Sequence, residues 1–199
     1  MAERRAPLML VVVGFLLLAL SWWAATGDTI SELEADLFRF FNDWPDWLEG
    51  PIWPIMQLGA IAIVPLVALA AWFISRRWRL TAGIGVSAFA AWVLAKVVKE
   101  FAERGRPQEF LDNINFRPEW DGLGFVSGHA AVAFAMAAML SPHLSRPLKV
   151  VVWALAVATG ILRMYTAAHL PLDITGGAGL GIAIAGLWQL ATWQREVAA

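Results

Sequence analysis

Long runs of apolar residues, separated by short polar segments, follow one another along the whole chain. Residues 6–27 and 50–75 contain no charged side chain, and each run is long enough to cross the roughly 30 Å of hydrocarbon in a bilayer as one helix. Four further runs follow: 80–95, which is shorter but continues through Lys96 to about Val98, 122–145, 150–162 and 174–194. The pattern therefore predicts an all-α integral membrane protein, a bundle of six transmembrane helices.

The segment between the first two runs, residues 28–49, carries too many charges to span a membrane. Ser31 and Glu34 form a possible capping box near its start. Its apolar residues recur at intervals of three and four, as on one face of a helix: Ile30, Leu33, Leu37, Phe40 or Phe41, Trp44 and Trp47. We expect an amphipathic helix on the outer face of the bundle. The pattern leaves open whether this helix lies on the lipid surface or packs over the bundle, because either partner is apolar.

Residues 104–123, between the third and fourth runs, contain many glycine, proline and asparagine breakers and no helical pattern. We expect an irregular loop at the rim of the site described below. The loop and the residues just before it are acidic: Glu100, Glu103, Glu109, Asp112, Glu119 and Asp121. These carboxylates are expected to be solvated or to pair with Arg104 or Arg117, because their spacing matches no divalent-cation loop.

The composition agrees with a membrane protein of one domain. Hydrophobic residues make up 59% of the 199 residues and charged residues 16%, whereas a typical soluble domain carries about 25% charge. The net charge of −1 argues against a general nucleic-acid binder. The chain contains no cysteine, which excludes a disulfide, a thiolate nucleophile and a cysteine-ligated metal.

Basic side chains collect at one set of helix ends, which the alternation of spans places on one side of the membrane. They are Arg4, Arg5, Arg76, Arg77, Arg79, Arg146, Lys149 and Arg195. By the positive-inside rule this side is cytoplasmic, so we expect a multi-pass protein of the cell (inner) membrane with both termini inside. The first run is expected to stay in place rather than be cleaved as a signal peptide, because its uncharged core exceeds the usual length.

Three short polar segments lie at the opposite, outer ends of these helices. They read Lys99-x6-Arg106-Pro107, Ser127-Gly128-His129 and Arg163-x5-His169-x3-Asp173. Together they supply three cations, two imidazoles and one carboxylate. This set suits phosphoryl transfer through histidine, in which cations bind the phosphate oxygens, one imidazole attacks and another protonates the leaving oxygen.

The local sequence predicts how each segment presents its groups. Lys99 and Arg106 are seven residues apart, about two helical turns, so both face one cavity if the helix continues. Residues 127–129 stand where the loop meets the fourth helix, whose unpaired amides are suited to bind phosphate oxygens. Asp173 is expected to accept a hydrogen bond from His169, four residues earlier, which would fix the tautomer of the imidazole.

The order and spacing of the three segments resemble those of the type-2 phosphatidic acid phosphatase superfamily, whose motifs read K-x6-R-P, P-S-G-H and S-R-x5-H-x3-D. The match covers about residues 99–173, with Val126 in place of the family's proline and Leu162 in place of its serine. The resemblance implies that His169 attacks phosphorus to form a phosphohistidine and that His129 protonates the leaving lipid oxygen. It also implies a set of phosphate-binding residues: Lys99, Arg106, Arg163, Ser127 and Gly128.

The resemblance further implies a metal-independent membrane lipid phosphatase without a cofactor, whose partners are a lipid phosphate substrate and the bilayer. An outward-facing site favours a polyprenyl diphosphate of the undecaprenyl type, hydrolysed at the outer leaflet. Three alternatives stay open: a phosphatidylglycerophosphate or phosphatidate phosphatase, a non-hydrolytic lipid-phosphate binding or transport protein, and a vanadate-binding haloperoxidase, although the haloperoxidases with this constellation are soluble. The third histidine, His143, matches no motif and is expected in a solvated cytoplasmic turn.

Overall fold

The computed structural model describes residues 2–27, 29–118 and 121–197, and the side chains of residues 5–27, 29–118 and 121–192. Glu119 of the predicted loop, and the side chains of Arg4 and Arg195 that helped to predict the orientation, lie outside the described residues. Within them every regular element is helical, in agreement with the predicted all-α class. The α-helices are α1 Ala2–Ala25, α2 Glu32–Asn42, α3 Glu49–Gln57, α4 Val64–Ser75, α5 Trp78–Ala102, α6 Gly128–Leu140, α7 Arg146–Tyr165 and α8 Pro171–Val197.

The lengths of these helices fit a multi-pass membrane protein. Four of them are long and apolar enough to cross a membrane, namely α5, α7, α8 and α1 from Arg5 onward. The pair α3 and α4 passes as a fifth span only if it is counted as one, and it bends by 57°. The fourth predicted span is represented by α6, which has 13 residues and is therefore about 20 Å long, shorter than the hydrocarbon layer.

The second predicted run is not one continuous helix, contrary to expectation. α3 ends at Gln57, a 3-10 turn covers Ile61–Ile63, and α4 begins at Val64. Ala60 is extended, with φ −74° and ψ 136°, and Pro65 lies in the first turn of α4. Proline has no N–H to donate to the carbonyl four residues earlier, so a helix restarts at this point. The apolar pattern does not reveal the break because the residues on both sides of it are equally apolar.

The loop predicted between the third and fourth spans is confirmed, with shifted boundaries. α5 reaches Ala102, beyond the apolar run that predicted it, and α6 begins only at Gly128. The intervening residues are irregular apart from a 3-10 turn at Pro107–Glu109. The two ends of this loop are the places where the first and second polar motifs lie.

The short helix α6 lies in the middle of the bundle, where it contacts α5, α7 and α8. Nine of its 13 residues, most of them alanine, are buried. Small residues allow this close packing, since a Cβ at Gly177 or Gly181 of α8 would collide with the carbonyl oxygens of Ser127 and Ala131. α1 packs mainly on α8. The backbone of α8 therefore packs directly against the start of α6.

α2 corresponds to the predicted amphipathic helix, and Ser31 caps it by accepting the N–H of Glu34 at 3.2 Å. Its buried face consists of Glu34, Phe38 and Asn42, and the helix contacts α7 and α8. Much of the predicted apolar stripe remains exposed instead: Leu33 by 78%, Leu37 by 42%, Phe40 by 64% and Trp47 by 72%. α2 thus joins the bundle through a mainly polar face and turns an apolar face outward.

Candidate active site

Lys99 lies in the last turn of α5 and is half-buried. Its ammonium group donates hydrogen bonds to the carbonyl oxygens of Leu123 at 2.7 Å and Gly124 at 2.6 Å. α5 ends just beyond this turn because Glu103 takes a left-handed φ of 47°. An ammonium has three N–H groups, so Lys99 holds the loop before α6 and retains one donor that can point to an anion.

The helical geometry that would place Lys99 and Arg106 on one face does not apply, because α5 ends four residues before Arg106. Arg106 is placed by its hydrogen bonds to other loops. Its Nη1 donates to the carbonyl of Ala168 at 2.5 Å, and its Nε lies 2.9 Å from the carbonyl oxygens of both Asp121 and Gly122. Arg106 thereby connects the loop before α6 to the turn that carries His169.

The second motif starts α6, as predicted. Ser127 is the N-cap and is fully buried, with its Oγ accepting the N–H of Ala130 at 3.4 Å. Its own N–H donates to the carbonyl of Asp173 at 2.8 Å, which ties the start of α6 to the start of α8. Gly128 and His129 are partly exposed, and a Cβ at Gly128 would meet nothing within 4 Å. The N-terminal amides of α6 therefore open onto free space, where the helix dipole favours an anion.

A tight turn after α7 brings the third motif together. The N–H groups of Ala168 and His169 donate to the carbonyl of Arg163 at 2.9 and 3.3 Å, and Ala167 has a left-handed φ of 56°. The turn folds His169 back beside the end of the helix that carries Arg163. Both side chains are almost fully buried, at 2% exposure for Arg163 and 3% for His169.

His169 and Asp173 face each other, but the predicted hydrogen bond is not formed. Nδ1 of His169 lies 3.5 Å from Oδ2 of Asp173, and no described residue offers Nδ1 a hydrogen-bond partner. Oδ2 instead accepts the N–H of Leu170 at 2.9 Å, and Oδ1 accepts Nη1 of Arg104 at 2.9 Å. Pro171 begins α8, so Asp173 lies in the first helical turn, where a negative charge is favourable.

The environment of His169 favours its neutral form. Burial lowers the pKa of His169 well below its usual value, and the positive charges of Lys99, Arg163 and Arg106 lower it further. A positive charge on His129 also lowers the pKa of His169. The three motifs therefore meet around one imidazole, and that imidazole keeps the lone pair that a nucleophile needs.

The sequence did not identify two residues beside Asp173. Arg104 was expected to pair with an acidic residue of its own loop, yet it is buried and pairs with both Glu34 and Asp173. Glu34 was expected only to complete a capping box, but its carboxylate accepts Nη2 of Arg104 at 2.7 Å and the N–H of Leu172 at 3.1 Å. The one signal available was spacing, because Glu34, Phe38 and Asn42 repeat every four residues.

Other charged residues have roles away from the motifs. Arg117, expected to pair within its loop, pairs with Asp46 at 2.9 Å and lies over the ring of Tyr165. His143 lies in an exposed 3-10 turn, as predicted, with its Nδ1 2.9 Å from Nη1 of Arg77. That turn borders a cavity of about 590 Å³ at the other end of α5, and no motif residue lines it. The cavity is therefore separate from the candidate active site.

A family model described as "PAP2 superfamily" matches residues 78–196, which include all three motifs. The chain belongs to the PAP2 superfamily. This finding confirms the family predicted from the motif spacing, although Val126 and Leu162 depart from the motif residues.

Three individual proteins resemble the chain over most of its length. "Bacitracin transport permease protein BcrC" of Bacillus licheniformis is 30% identical over 162 residues, which cover 77% of this chain and 78% of the relative. The crystal structure of LpxE from Aquifex aeolicus matches with a TM-score of 0.71 and 28% identity, covering 81% of this chain and 96% of that one. A "transmembrane PAP2 type phosphatidylglycerolphosphate phosphatase" from Bacillus subtilis has the same fold, with a TM-score of 0.74, 21% identity and 96% coverage of both chains.

Proposed function

We propose that this protein is a membrane lipid phosphatase that removes a terminal phosphate from a lipid phosphate or diphosphate through a phosphohistidine intermediate. The observation that carries the proposal is the meeting of two imidazoles, one carboxylate and three cations, from three separate segments, around His169. Membership of the PAP2 superfamily supports the same chemistry.

In the proposed reaction Nε2 of His169 attacks phosphorus, because Nδ1 is the ring nitrogen that faces Asp173. The bond between phosphorus and the leaving oxygen breaks, and His129 gives that oxygen its proton. The phosphorylated ring of His169 is positive while Nδ1 keeps its proton, and Asp173 stabilises that charge. Water then attacks phosphorus with His129 as its base, phosphate leaves, and His169 returns to its neutral form.

Positive groups of the protein are proposed to neutralise the charge that develops on the phosphoryl oxygens. They are Lys99, Arg106, Arg163 and the amides of Gly128 and His129, with Gly128 leaving open space beside them. Fixed donors of this kind stabilise a transition state strongly where water is excluded. We propose that they replace the Mg²⁺ of kinase sites, so the reaction requires no divalent metal.

We further propose that residues 1–199 form one domain with six membrane spans, counting the bent α3–α4 pair as one and α6 as a short span. The positive-inside rule supports cytoplasmic termini and an active site at the outer leaflet. This placement favours an undecaprenyl-type polyprenyl diphosphate as substrate, with phosphatidylglycerophosphate or phosphatidate as the alternative. The alternative is supported by the name of the Bacillus subtilis neighbour, a phosphatidylglycerolphosphate phosphatase.

A second candidate function is non-hydrolytic binding or transport of a lipid phosphate. The name of the Bacillus licheniformis relative, a transport permease, is the observation that favours it. A transporter needs no nucleophile and no general acid, whereas this site holds a buried imidazole and a partly exposed one. We therefore rank hydrolysis first.

The test is a phosphate-release assay on the purified protein in detergent with excess EDTA. The panel contains undecaprenyl diphosphate, phosphatidylglycerophosphate, phosphatidate and a soluble sugar phosphate as control. We expect release from at least one lipid, little from the sugar phosphate, and inhibition by vanadate, which mimics the five-coordinate transition state. Tight binding of a lipid phosphate without any release would favour the transport function, and activity that appears only when Mg²⁺ or Mn²⁺ is added would contradict the metal-free mechanism.

A further inference from the structure

A buried ionic network links the catalytic aspartate to α2. Nη2 of Arg104 lies 2.7 Å from Oε2 of Glu34, and Nη1 lies 2.9 Å from Oδ1 of Asp173. All three side chains are at most 4% exposed. One planar guanidinium therefore bridges two carboxylates that are 139 positions apart in the sequence, from residue 34 to residue 173.

The remaining oxygens of the two carboxylates hold the start of α8. Oε1 of Glu34 accepts the N–H of Leu172 at 3.1 Å, and Oδ2 of Asp173 accepts the N–H of Leu170 at 2.9 Å. Arg104 itself is fixed to the loop before α6, because its carbonyl accepts the N–H of residue 124 at 2.7 Å. The network thus connects α2, the end of α5 and the first turn of α8 at one point.

We propose that Arg104 is a positioning residue for catalysis and that Glu34 holds Arg104 in place. Arg104 binds Oδ1 of Asp173, so that Oδ2 stays opposite Nδ1 of His169. This inference rests on the proposed function, in which His169 gains a positive charge when it is phosphorylated. A carboxylate free to rotate would lose that alignment.

A second consequence concerns the cations of the site. Lys99 and Arg163 lie near the same imidazole as Asp173. A carboxylate that is not held is drawn to the nearest positive groups, and there it would compete with substrate phosphate. Because Arg104 occupies Oδ1 of Asp173, that oxygen is already paired and does not compete with substrate phosphate.

The position of α2 is therefore part of the active-site architecture. Glu34 is on the buried face of α2, whereas Leu33 and Leu37 are exposed on the same helix. The apolar side of α2 is suited to the membrane surface, and its polar side orients the catalytic carboxylate through Arg104.

The experiment compares Glu34→Gln and Arg104→Lys with the wild type. Replacing Arg104 by an apolar residue would leave two buried carboxylates facing each other, so the variants that retain hydrogen bonding are used. Lysine keeps the charge but loses the fork that reaches both carboxylates. Glu32→Gln and Asp36→Asn, at exposed positions of α2, are the matched controls.

We expect each network variant to lower kcat about tenfold or more on the best lipid substrate and on an activated aryl phosphate alike, since the attack step is slowed. KM should change little, vanadate affinity should fall together with kcat because vanadate mimics the transition state, and the two controls should behave as the wild type. In an Asp173→Asn background, Arg104→Lys should cause no further loss, because both residues act through one interaction.

Wild-type kcat in both network variants would overturn the inference while leaving the proposed function intact. So would a change confined to KM, or losses that multiply fully in the Asp173→Asn background. A wild type that releases phosphate from no member of the lipid panel would overturn the proposed function, and the positioning role with it.

Discussion

At the residue scale, the proposed chemistry depends on which nitrogen of His169 faces phosphorus. Nδ1 lies 3.5 Å from Asp173, so Nε2 is the nitrogen that we propose attacks. His129 comes from another element, the start of α6, and is partly exposed. In the proposed reaction the buried His169 is the nucleophile. The more accessible His129 is the acid, which suits a leaving group that has to enter and leave the site.

The two histidines should respond differently to the quality of the leaving group. His169→Ala should lower turnover on the order of 10³-fold or more with every substrate, because the nucleophile is lost. His129→Ala should impair a lipid substrate strongly and an aryl phosphate such as p-nitrophenyl phosphate far less, because a good leaving group needs no proton. Kinetics on both substrates measure the difference, with the exposed His143→Ala as control. Equal losses on the two substrates would contradict the acid role.

His169 should remain neutral at a pH where an ordinary histidine is protonated. The pKa of His169 is lowered by burial and by nearby cations, and the usual value is about 6.5. At pH 6 the folded protein should therefore hold this ring without a proton, whereas the unfolded chain binds one. Nitrogen-15 spectra of histidine-labelled protein in phosphate-free buffer, assigned with His169→Ala, measure the titration. A midpoint at or above pH 6.5 would count against the buried neutral nucleophile.

The motif residues can be predicted from the sequence because their chemistry imposes a spacing within each short segment. Arg104 and Glu34 cannot be found in this way, since they are 70 positions apart and meet only when α2 packs on α8. A charged residue next to a membrane interface is usually solvated, and only the packing of the helices shows that these two are not. The spacing of His169 and Asp173 suggested a hydrogen bond between them. In the structure the oxygens of Asp173 instead accept hydrogen bonds from Arg104 and from the N–H of Leu170.

At the element scale, the site is assembled from helix ends. Lys99 is in the last turn of α5, residues 127–129 start α6, Arg163 is in the last turn of α7, and Asp173 is in the first turn of α8. The apolar pattern predicted that these helices exist, because long uncharged runs have few other structures in a membrane. It did not predict the break between α3 and α4, where composition does not change.

The break between α3 and α4 places Gly59 close to the backbone of His129. A Cβ at Gly59 would lie 2.6 Å from the carbonyl oxygen of His129 and 2.8 Å from a methyl carbon of Thr159. Gly59→Ala should displace the start of α6 and lower lipid turnover by about 10- to 100-fold, since small misplacements at a reacting centre are costly. Gly85→Ala is the control, because a Cβ there meets nothing within 4 Å. Wild-type turnover in Gly59→Ala, with an unchanged Tm, would show that the contact does not position His129.

At the scale of the whole molecule, the basic residues around Arg77 and the three motifs lie at opposite ends of α5. Arg77 precedes α5 and Lys99 is in its last turn, so helix geometry separates them by about 33 Å. The same helix therefore connects the basic end to the site. If the basic end is cytoplasmic, substrate must approach from the outer leaflet.

Orientation can be measured with single cysteines, because the chain has none of its own. Asp112→Cys, in the exposed part of the loop before α6, should react with a membrane-impermeant thiol reagent added to whole cells. Arg77→Cys and Ser145→Cys, at the basic end, should react only after the cells are opened. The reverse labelling would place the site in the cytoplasm and remove the argument for a substrate at the outer leaflet.

The central claim is that phosphate is carried on His169, and trapping the intermediate tests it most directly. Purified protein is mixed with a ³²P-labelled lipid phosphate, quenched within milliseconds at alkaline pH, digested and analysed by mass spectrometry. The account predicts one phosphate on the peptide that contains His169, stable to alkali, labile to acid, and absent from His169→Ala. Phosphate on another residue, or full turnover by His169→Ala, would contradict the account.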